Sequence, residues 1–342
     1  MRHVNIPIFI PHLGCPNQCV FCNQRSISGV REFCADDVVP IIENALETVG
    51  EDAECEIAFF GGSFTGIDRD LMVALLEIAH SYVRSGRVRS VRCSTRPDYI
   101  NEEIIDILKK NCVKTIELGL QSSSDSVLKI SKRGHNFEAE RKACDLIVKL
   151  GIDLVGQMMI GLPGSDIDSE LATARFIIES GAVGARIYPT VVFRDTELCN
   201  MTLSGEYTPL SLEEAVERSA KVFELFCDAG VKVIRIGLQS SENLTDEDKY
   251  LAGPNHSALG ELVIGEMYYN KICELLSSES LSGEENITVR VPRGDLSKAV
   301  GQNKRNRIKL SKTYKHISFA ESCDLPQYGV LLEINNGEKK CT

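Results

Sequence analysis

The sequence has 342 residues, of which 43% are hydrophobic and 25% charged, a composition typical of a folded globular enzyme and not of a disordered chain. Its formal net charge of −11 argues against a polyanionic partner for most of its surface. The N-terminal apolar run is too short, and too interrupted by proline, for a secretion signal or a membrane span, so we expect a cytoplasmic protein with no membrane partner.

Short apolar runs rich in β-branched residues alternate with longer segments of helical periodicity. This alternation predicts an α/β fold in which parallel strands form a full or partial (β/α) barrel covered by helices. The predicted strands are residues 4–10, 56–60, 90–94, 115–120, 154–160, 184–188 and 232–236. The predicted helices are residues 36–49, 68–84, 101–110, 137–150, 166–179, 212–229 and 260–276. Such barrels carry their active site at the carboxyl ends of the strands.

The pattern changes near residue 280, so we predict a core domain over residues 1–280 and a small basic module over residues 281–342, built from short strand-like pieces. Nine Lys or Arg and a single acid, Asp295, lie between Arg290 and Lys315, which leaves a net charge of −19 on the rest of the chain. The stretch Gly301-Gln302-Asn303-Lys304 within it resembles the glycine-containing loop with which KH modules clamp a nucleic-acid backbone. RNA is therefore an expected partner, although a solvated basic face is the commoner origin of such a run.

Thirteen cysteines in a chain expected to be cytoplasmic argue against disulfides. Cys15, Cys19 and Cys22 form a C-x3-C-x2-C loop directly after the first predicted strand. Three thiolates on one loop can bind three irons of a [4Fe–4S] cluster and leave the fourth iron open to another ligand. The alternative is a zinc site, or an electron-transfer cluster completed by a residue such as Cys34. Six further cysteines in or beside apolar runs are predicted to be structural: Cys55, Cys93, Cys112, Cys144, Cys227 and Cys273.

With Phe21 before its last cysteine, this loop resembles the signature of the radical-SAM superfamily. In that family the open iron binds S-adenosylmethionine (SAM), and one-electron reduction cleaves SAM to methionine and a 5′-deoxyadenosyl radical, which abstracts hydrogen from a substrate. The resemblance implies a [4Fe–4S] cluster and SAM as cofactors and an electron donor of the ferredoxin or flavodoxin type. The cofactor would carry the difficult chemistry, and the protein would supply geometry and exclude water.

Polar segments after the later strands also resemble SAM-contacting segments of this family, in particular those of the Elongator catalytic subunit and of oxygen-independent coproporphyrinogen oxidase. The residues that the resemblance assigns to the cofactor are Phe21, Gly61, Gly62, Ser63, Ser94, Gln121, Arg133 and Gln157. The glycine pair corresponds to the motif that receives the methionine ammonium group, with Ser63 where an acid or threonine is common. Ser94, Gln121 and Gln157 would contact the nucleoside or the methionine. Arg133 would bind the methionine carboxylate, for which a planar guanidinium is suited.

Residues 3–266 are most similar to the radical-SAM core of the Elongator subunit, through segments such as TRPDYI, ELGLQSSSDSVL, MMIGLPG and AGPNHSALGEL. Two departures matter. About 75 residues follow Glu266, too few for the acetyltransferase domain that completes that subunit, and Ser257 stands where proline is usual. We therefore do not carry over the acetyl-CoA-dependent modification of the tRNA wobble uridine.

Three functions stay open at this point. The first is a radical-SAM enzyme that acts on RNA, foremost tRNA; the second is one that acts on a small molecule, a peptide or a tetrapyrrole precursor; the third is a metal-binding protein without catalysis. Tyr188, at the end of the sixth strand, either faces the radical or packs in the core. His256 is either a functional group or a turn histidine that hydrogen-bonds the backbone.

Overall fold

The structure is a computed structural model and describes residues 2–10, 13–15, 19–23, 33–50, 53–238, 249–334 and 339–341. The chain divides into two compact units, residues 1–211 with 225–255 and residues 212–224 with 256–342. The domain boundary that the sequence predicts near residue 280 falls inside the second of these units.

The first unit is built on parallel strands whose order in the sheet follows the chain. Its strands are Arg2–Ile10 (β1), Ala53–Gly61 (β2), Ser90–Thr95 (β3), Val113–Gln121 (β4), Asp153–Ile160 (β5), Gly184–Pro189 (β6), Val192–Phe193 (β7), Lys232–Ile236 (β8) and Tyr250–Ala252 (β9). Seven of them form one sheet in the order β1-β2-β3-β4-β5-β6-β8, while β7 and β9 pair with each other in antiparallel fashion. The seven-stranded sheet curls into a half-barrel with β1 and β8 at its edges, so the predicted barrel is the partial form.

Helices connect these strands, as parallel pairing requires. They are Val38–Thr48 (α1), Arg69–Arg84 (α2), Glu102–Lys110 (α3), Asp125–Ile130 (α4), Phe137–Lys149 (α5), Ile167–Glu179 (α6), Glu197–Ser204 (α7) and Leu212–Asp228 (α8), the last contributing residues 212–224 to the second unit. Side-chain caps begin several of them: Asp68 accepts hydrogen bonds from two backbone amides at the start of α2, and Asn101 caps α3. None of the described helices is both long and apolar enough to cross a bilayer.

Alternation along the strands gives the sheet two chemically different faces. A Cβ built on Gly156 of β5 would lie 2.7 Å from the Ile177 side chain of α6, so this face of the sheet packs closely on a helix. Gln157, the next residue, points to the opposite face because side chains alternate along a strand. Three of the thiols predicted to be structural are buried: Cys55, Cys93 and Cys144. The other three, Cys112, Cys227 and Cys273, are partly buried.

The second unit combines a mixed sheet with helices. Its further elements are Leu259–Ser277 (α9), Asn286–Pro292 (β10), Leu296–Val300 (α10), Arg305–Ser311 (α11), His316–Ser322 (β11), Leu331–Ile334 (β12) and Lys339–Cys341 (β13). The strand order is β11-β10-β12-β13, with β10 and β11 parallel and the other pairs antiparallel, which confirms the predicted short strands. Tyr268 of α9 is fully buried and donates its hydroxyl proton to Asp295 over 2.7 Å, so the acid of the basic segment is structural.

Candidate active site at the carboxyl ends of the strands

The loops after β1 and β2 are joined by backbone hydrogen bonds. The amide of Gly62 donates to Ile10 O over 2.8 Å, and the amide of Ser63 donates to Leu13 O over 3.1 Å. A Cβ added at Gly62 would lie only 2.0 Å from Leu13 O, a distance at which the backbone itself must move. The glycine is therefore needed where the loop that leads to the first cysteine meets the end of β2.

The Ser63 side chain links this junction to β3. Ser63 is fully buried, its Oγ lies 2.8 Å from Thr95 Oγ1, and it accepts a hydrogen bond of 3.2 Å from the amide of Arg96. A hydroxyl with these two partners holds strand ends together. The contact of Ser63 with SAM stays a prediction.

The three predicted cluster ligands lie in the loop between β1 and α1. Cys19 is 5% exposed, Cys15 and Cys22 are partly buried, and the amide of Cys22 donates to Cys19 O over 3.0 Å. Cys34, the alternative fourth ligand, is exposed. Within the described residues, no three His, Cys, Asp or Glu side chains converge to metal-binding spacing, so the assignment of the thiols to a cluster stays a prediction.

Two arginines face these sulfurs, Arg96 from the end of β3 and Arg133 from the loop between α4 and α5. Arg133 donates from Nη1 to Cys19 Sγ over 3.3 Å, and Arg96 Nη1 lies 4.0 Å from Cys15 Sγ. The two arginines also contact each other, because Arg96 Nη2 donates a hydrogen bond to Arg133 O. Three thiols on one loop, with guanidinium groups directed at two of them, fit an anionic iron–sulfur cluster because donors and positive charge around the sulfurs stabilise it.

Gln121 and Arg133 meet above Gly119 of β4. A Cβ at Gly119 would lie 3.2 Å from Gln121 Nε2 and 3.4 Å from Arg133 Nη2, so both side chains reach over this glycine. Gln121 has a φ of 74°, in the left-handed region that non-glycine residues avoid, and the β4–β5 register shifts next to it. Among the described residues, Gln121 Oε1 and Arg133 Nε are buried without a partner. These two atoms, one of them on a strained strand end, leave an acceptor and a donor unsatisfied, and the contact of Gln121 and Arg133 with SAM stays a prediction.

Asp98, His135 and Glu140 form a network of titratable groups next to Arg96. Arg96 forms a bidentate ion pair with Asp98, in which Nε and Nη2 each donate to a carboxylate oxygen over 2.9 Å. Arg96 Nη2 also lies 3.4 Å from His135 Nδ1. Burial raises the pKa of Asp98, but the His135 ring and the Arg96 guanidinium outweigh burial and hold that pKa well below its ordinary value. Burial raises the pKa of Glu140, 2.9 Å from His135 Nε2, to about 7. This network fixes the orientation of the Arg96 guanidinium.

Glu117 lies at the centre of a polar network on the face of the sheet opposite the helices. It is fully buried and accepts hydrogen bonds of 2.9 Å each from the Arg92 and Arg186 guanidinium groups and from the side-chain amide of Gln157. Gln157 Nε2 also lies 3.4 Å from Ser94 Oγ, so two of the predicted cofactor residues are adjacent. Glu117 therefore orients the Gln157 side chain, although Glu117 is not among the residues that the sequence assigned to the cofactor. Its sequence signal is an acid within the apolar strand of β4.

The remaining aromatic and histidine candidates are placed as follows. Phe21 packs against a hydrophobic cluster that includes Val192 and Leu198, and its predicted contact with the cofactor stays a prediction. Tyr188 lies 3.5 Å from Arg186 Nη1, and burial raises the pKa of its phenol, which therefore stays protonated. His256 Nδ1 accepts a hydrogen bond of 3.1 Å from the backbone amide of Ala258, the contact expected of a turn histidine, which was one of the two roles considered for it.

A half-barrel of parallel strands with a three-cysteine loop after its first strand is the arrangement of radical-SAM enzymes. The sequence pattern of the Radical SAM superfamily matches residues 9–177, and that of the Radical_SAM C-terminal domain matches residues 182–269. The chain belongs to the radical SAM superfamily and is an enzyme of this class. Membership implies a [4Fe–4S] cluster and SAM.

Its relatives include proteins that are named for tRNA chemistry. The tRNA uridine(34) acetyltransferase of Methanocaldococcus jannaschii is 36% identical over 126 residues, which are 36% of this chain and 23% of that protein. Human Elongator complex protein 3 is 28% identical over 181 residues, 52% of this chain and 32% of that protein. A putative methylthiotransferase of M. jannaschii is 28% identical over 239 residues, 64% of this chain and 51% of that protein. The matches thus span about a quarter to a half of these relatives.

A solved structure agrees with the fold. The archaeal Elp3 of Methanocaldococcus infernus superposes with a TM-score of 0.64 at 24% sequence identity, over 79% of this chain and 63% of that chain. SuiB of Streptococcus suis superposes with a TM-score of 0.50 at 14% identity, over 72% of this chain and 51% of that chain. At these identities the similarity is one of fold.

Proposed function

We propose that this enzyme binds a [4Fe–4S] cluster through Cys15, Cys19 and Cys22 and uses it to abstract hydrogen from an RNA substrate, foremost tRNA. The cluster, when bound and reduced, supplies the electron that cleaves SAM to methionine and a 5′-deoxyadenosyl radical. The observation that carries the proposal is the convergence of Arg96, at the end of β3, and Arg133, in the loop between α4 and α5, on the sulfurs of Cys15 and Cys19. The loss of this geometry would remove the charge compensation that an anionic cluster requires.

The residues of the chain hold and orient the reactants. The unpartnered Nε of Arg133 and Oε1 of Gln121 offer a donor and an acceptor to the methionine part of SAM. Ser94 and Gln157 offer polar atoms on the same face of the sheet, and Glu117 keeps the Gln157 amide in one orientation. Gly61 and Gly62 lie at the end of β2, where the absence of side chains lets a ligand approach the backbone closely. Such fixed, buried dipoles favour reaction because they need no rearrangement when the radical forms.

RNA is proposed as the substrate from two observations. Two of the relatives named above are a tRNA uridine(34) acetyltransferase and an Elongator protein. The chain also concentrates nine basic residues between Arg290 and Lys315 in an otherwise acidic protein. A basic segment attracts a phosphate backbone through counterion release.

The cluster assignment is tested by anaerobic reconstitution with iron and sulfide, followed by reduction in the presence of SAM. The wild-type enzyme should show iron–sulfur absorbance and form 5′-deoxyadenosine, detected by mass spectrometry. Cys15→Ala, Cys19→Ala and Cys22→Ala should lose both signals, while Cys34→Ala, at the exposed alternative ligand, should keep both. A Cys15→Ala variant that retained both, or a Cys34→Ala variant that lost them, would overturn the assignment.

The substrate assignment is tested by isotope transfer. The reduced enzyme is incubated with SAM and bulk RNA from cells grown in deuterated medium, and the 5′-deoxyadenosine is analysed for deuterium. Transfer of deuterium from the RNA supports the proposal, because the hydrogen on the nucleoside then came from RNA. Transfer from the deuterated small-molecule or peptide fraction, but not from RNA, would favour the alternative substrate class.

A further inference from the structure

The second unit carries an exposed loop with unusual backbone geometry. Residues 301–304 connect α10 to α11, and these two short helices lie in the chain between the parallel strands β10 and β11. Gly301 has a φ of 80°, and Asn303 and Lys304 follow with φ of 52° and 61°. Two successive non-glycine residues in the left-handed region are uncommon, and such strain is retained chiefly at sites that bind ligands.

A buried asparagine holds this loop in place. Asn306 is 2% exposed, and its Nδ2 donates to Ala299 O over 3.0 Å and to Gly265 O over 2.7 Å. A Cβ on Gly301 would lie 3.0 Å from Asn306 Cγ, so the loop closes tightly over this side chain. The strained conformation is therefore built into the unit and exists before any ligand arrives.

Among the described residues, the basic groups of the loop and of α11 form no ion pair, except for Lys309, which lies 3.8 Å from Glu266. Lys304 and Arg307 are exposed and Arg305 is partly exposed, and within the described ranges none of the three forms an ion pair. Other basic residues of the same segment are neutralised: Lys298 pairs with Asp295 and Lys315 with Glu284. Arg293 and Lys312 are also exposed without an ion pair among the described residues, and the loop with the start of α11 adds three such charges close together in the chain.

An exposed apolar side chain lies among these charges. Ile308 is 55% exposed and comes one helical turn after Lys304 and one turn before Lys312. A positive face with an apolar patch matches a single strand of nucleic acid, which presents both phosphates and unstacked base faces. A duplex hides its base faces and would use the charges alone.

We propose that residues 301–304, with Arg305, Arg307 and Ile308 of α11, bind the backbone of single-stranded RNA. KH modules clamp about four nucleotides with a G-x-x-G loop. In this protein Lys304 occupies the fourth position, in the left-handed conformation that a glycine would adopt there, and adds a charge. The choice of RNA as the polymer rests on the proposed function. The loop and its charges belong to the second unit, whereas the residues assigned to SAM belong to the first.

The test measures binding of the full-length protein to a fluorescent single-stranded RNA of roughly a dozen nucleotides, at several salt concentrations. The Lys304→Ala/Arg307→Ala variant should bind roughly tenfold more weakly or worse, and its log K should fall less steeply with log salt, by about 0.7 for each lost contact. The matched control, Lys315→Ala, removes a charge that is already paired and should bind like the wild type. Ile308→Asp should weaken binding to the single strand more than binding to a duplex of the same length.

Equal affinity of the double variant and the wild type would overturn the inference, and so would equal affinity of the wild type for the single strand and the duplex. Formation of 5′-deoxyadenosine without RNA is measured on the same preparations and should be unchanged in all three variants. Loss of RNA affinity with SAM cleavage intact supports the site. RNA binding by an enzyme that forms no 5′-deoxyadenosine from SAM would contradict the proposed function and leave this inference standing.

Discussion

The two units use charged residues in opposite ways. In the first unit, Glu117 and Arg92 are buried on the sheet and Arg186 is largely buried, and both arginines donate to Glu117. In the second, Lys304 and Arg307 lie in the solvent and form no ion pair within the described residues. A buried charge must be paired because desolvation is costly, whereas an exposed unpaired charge costs little to leave free. Charges of the first kind therefore shape a site, and charges of the second kind are available to a ligand.

Substitutions in one loop of each unit should give the largest difference in cluster binding and SAM cleavage. Gly62→Ala places a Cβ against Leu13 O and must displace the loop that carries Cys15, so we expect reconstituted protein to lose most of its iron–sulfur absorbance and its 5′-deoxyadenosine formation. Gln302→Ala, in the exposed loop of the second unit, should keep both. Gly50→Ala is the matched control because nothing lies within 4 Å of its added Cβ. Normal iron content in Gly62→Ala would mean that the two loops can move apart freely.

Removing the buried carboxylate of Glu117 should lower the free energy of unfolding far more than removing an exposed charge. Glu117→Gln leaves Arg92 and Arg186 buried with too little negative charge, and we expect it to lower the free energy of unfolding by about 3–5 kcal/mol in urea titrations. Lys304→Ala, and Glu103→Gln in the exposed pair with Arg69, should change it by less than about 0.5 kcal/mol. A Glu117→Gln variant as stable as these two would show that the buried network is dispensable.

The next effect concerns binding of SAM. Arg133→Lys keeps a positive charge but removes the planar fork and the Nε donor, and a lost hydrogen bond to a charged group amounts to about 1.5–3 kcal/mol. We expect the KM for SAM in the cleavage assay to rise by roughly tenfold to a hundredfold. Arg141→Lys, in an exposed pair with Glu138, should leave KM unchanged. An unchanged KM in Arg133→Lys would remove Arg133 from the SAM site.

The smallest effect is the reactivity of the other thiols. Burial raises the pKa of Cys144 to about 12 and that of Cys93 further, so both stay protonated at pH 8 and should resist alkylation by iodoacetamide in the native protein. Cys34 and Cys323 are exposed and should be labelled, as peptide mass spectrometry would show. Because the thiolate is the reactive form, labelling of the buried pair should stay low when the pH is raised to about 9. Rapid labelling of Cys144 would indicate local opening of α5.

Hydrophobic periodicity was enough to predict the seven strands of the half-barrel, its longer helices and the short strands of the second unit. It did not predict α4, α7, α10 and α11, which have five to eight residues each. Two turns or fewer are too short for a 3.6-residue repeat to stand out from a loop. The pairing of β7 with β9 joins segments far apart in the chain, and no local pattern encodes such a contact.

The sequence by itself determined the class of this protein, because the spacing of Cys15, Cys19 and Cys22 after the first strand is a local feature. It also determined the basic character of residues 290–315. Only the tertiary structure decided that Arg133 reaches Cys19, that Glu117 orients Gln157, and that Lys304 is exposed while Lys298 is paired. The physical reason is that burial and pairing depend on which strand ends and helices become neighbours, and the hydrophobic effect that brings them together does not depend on the identity of the charges they carry.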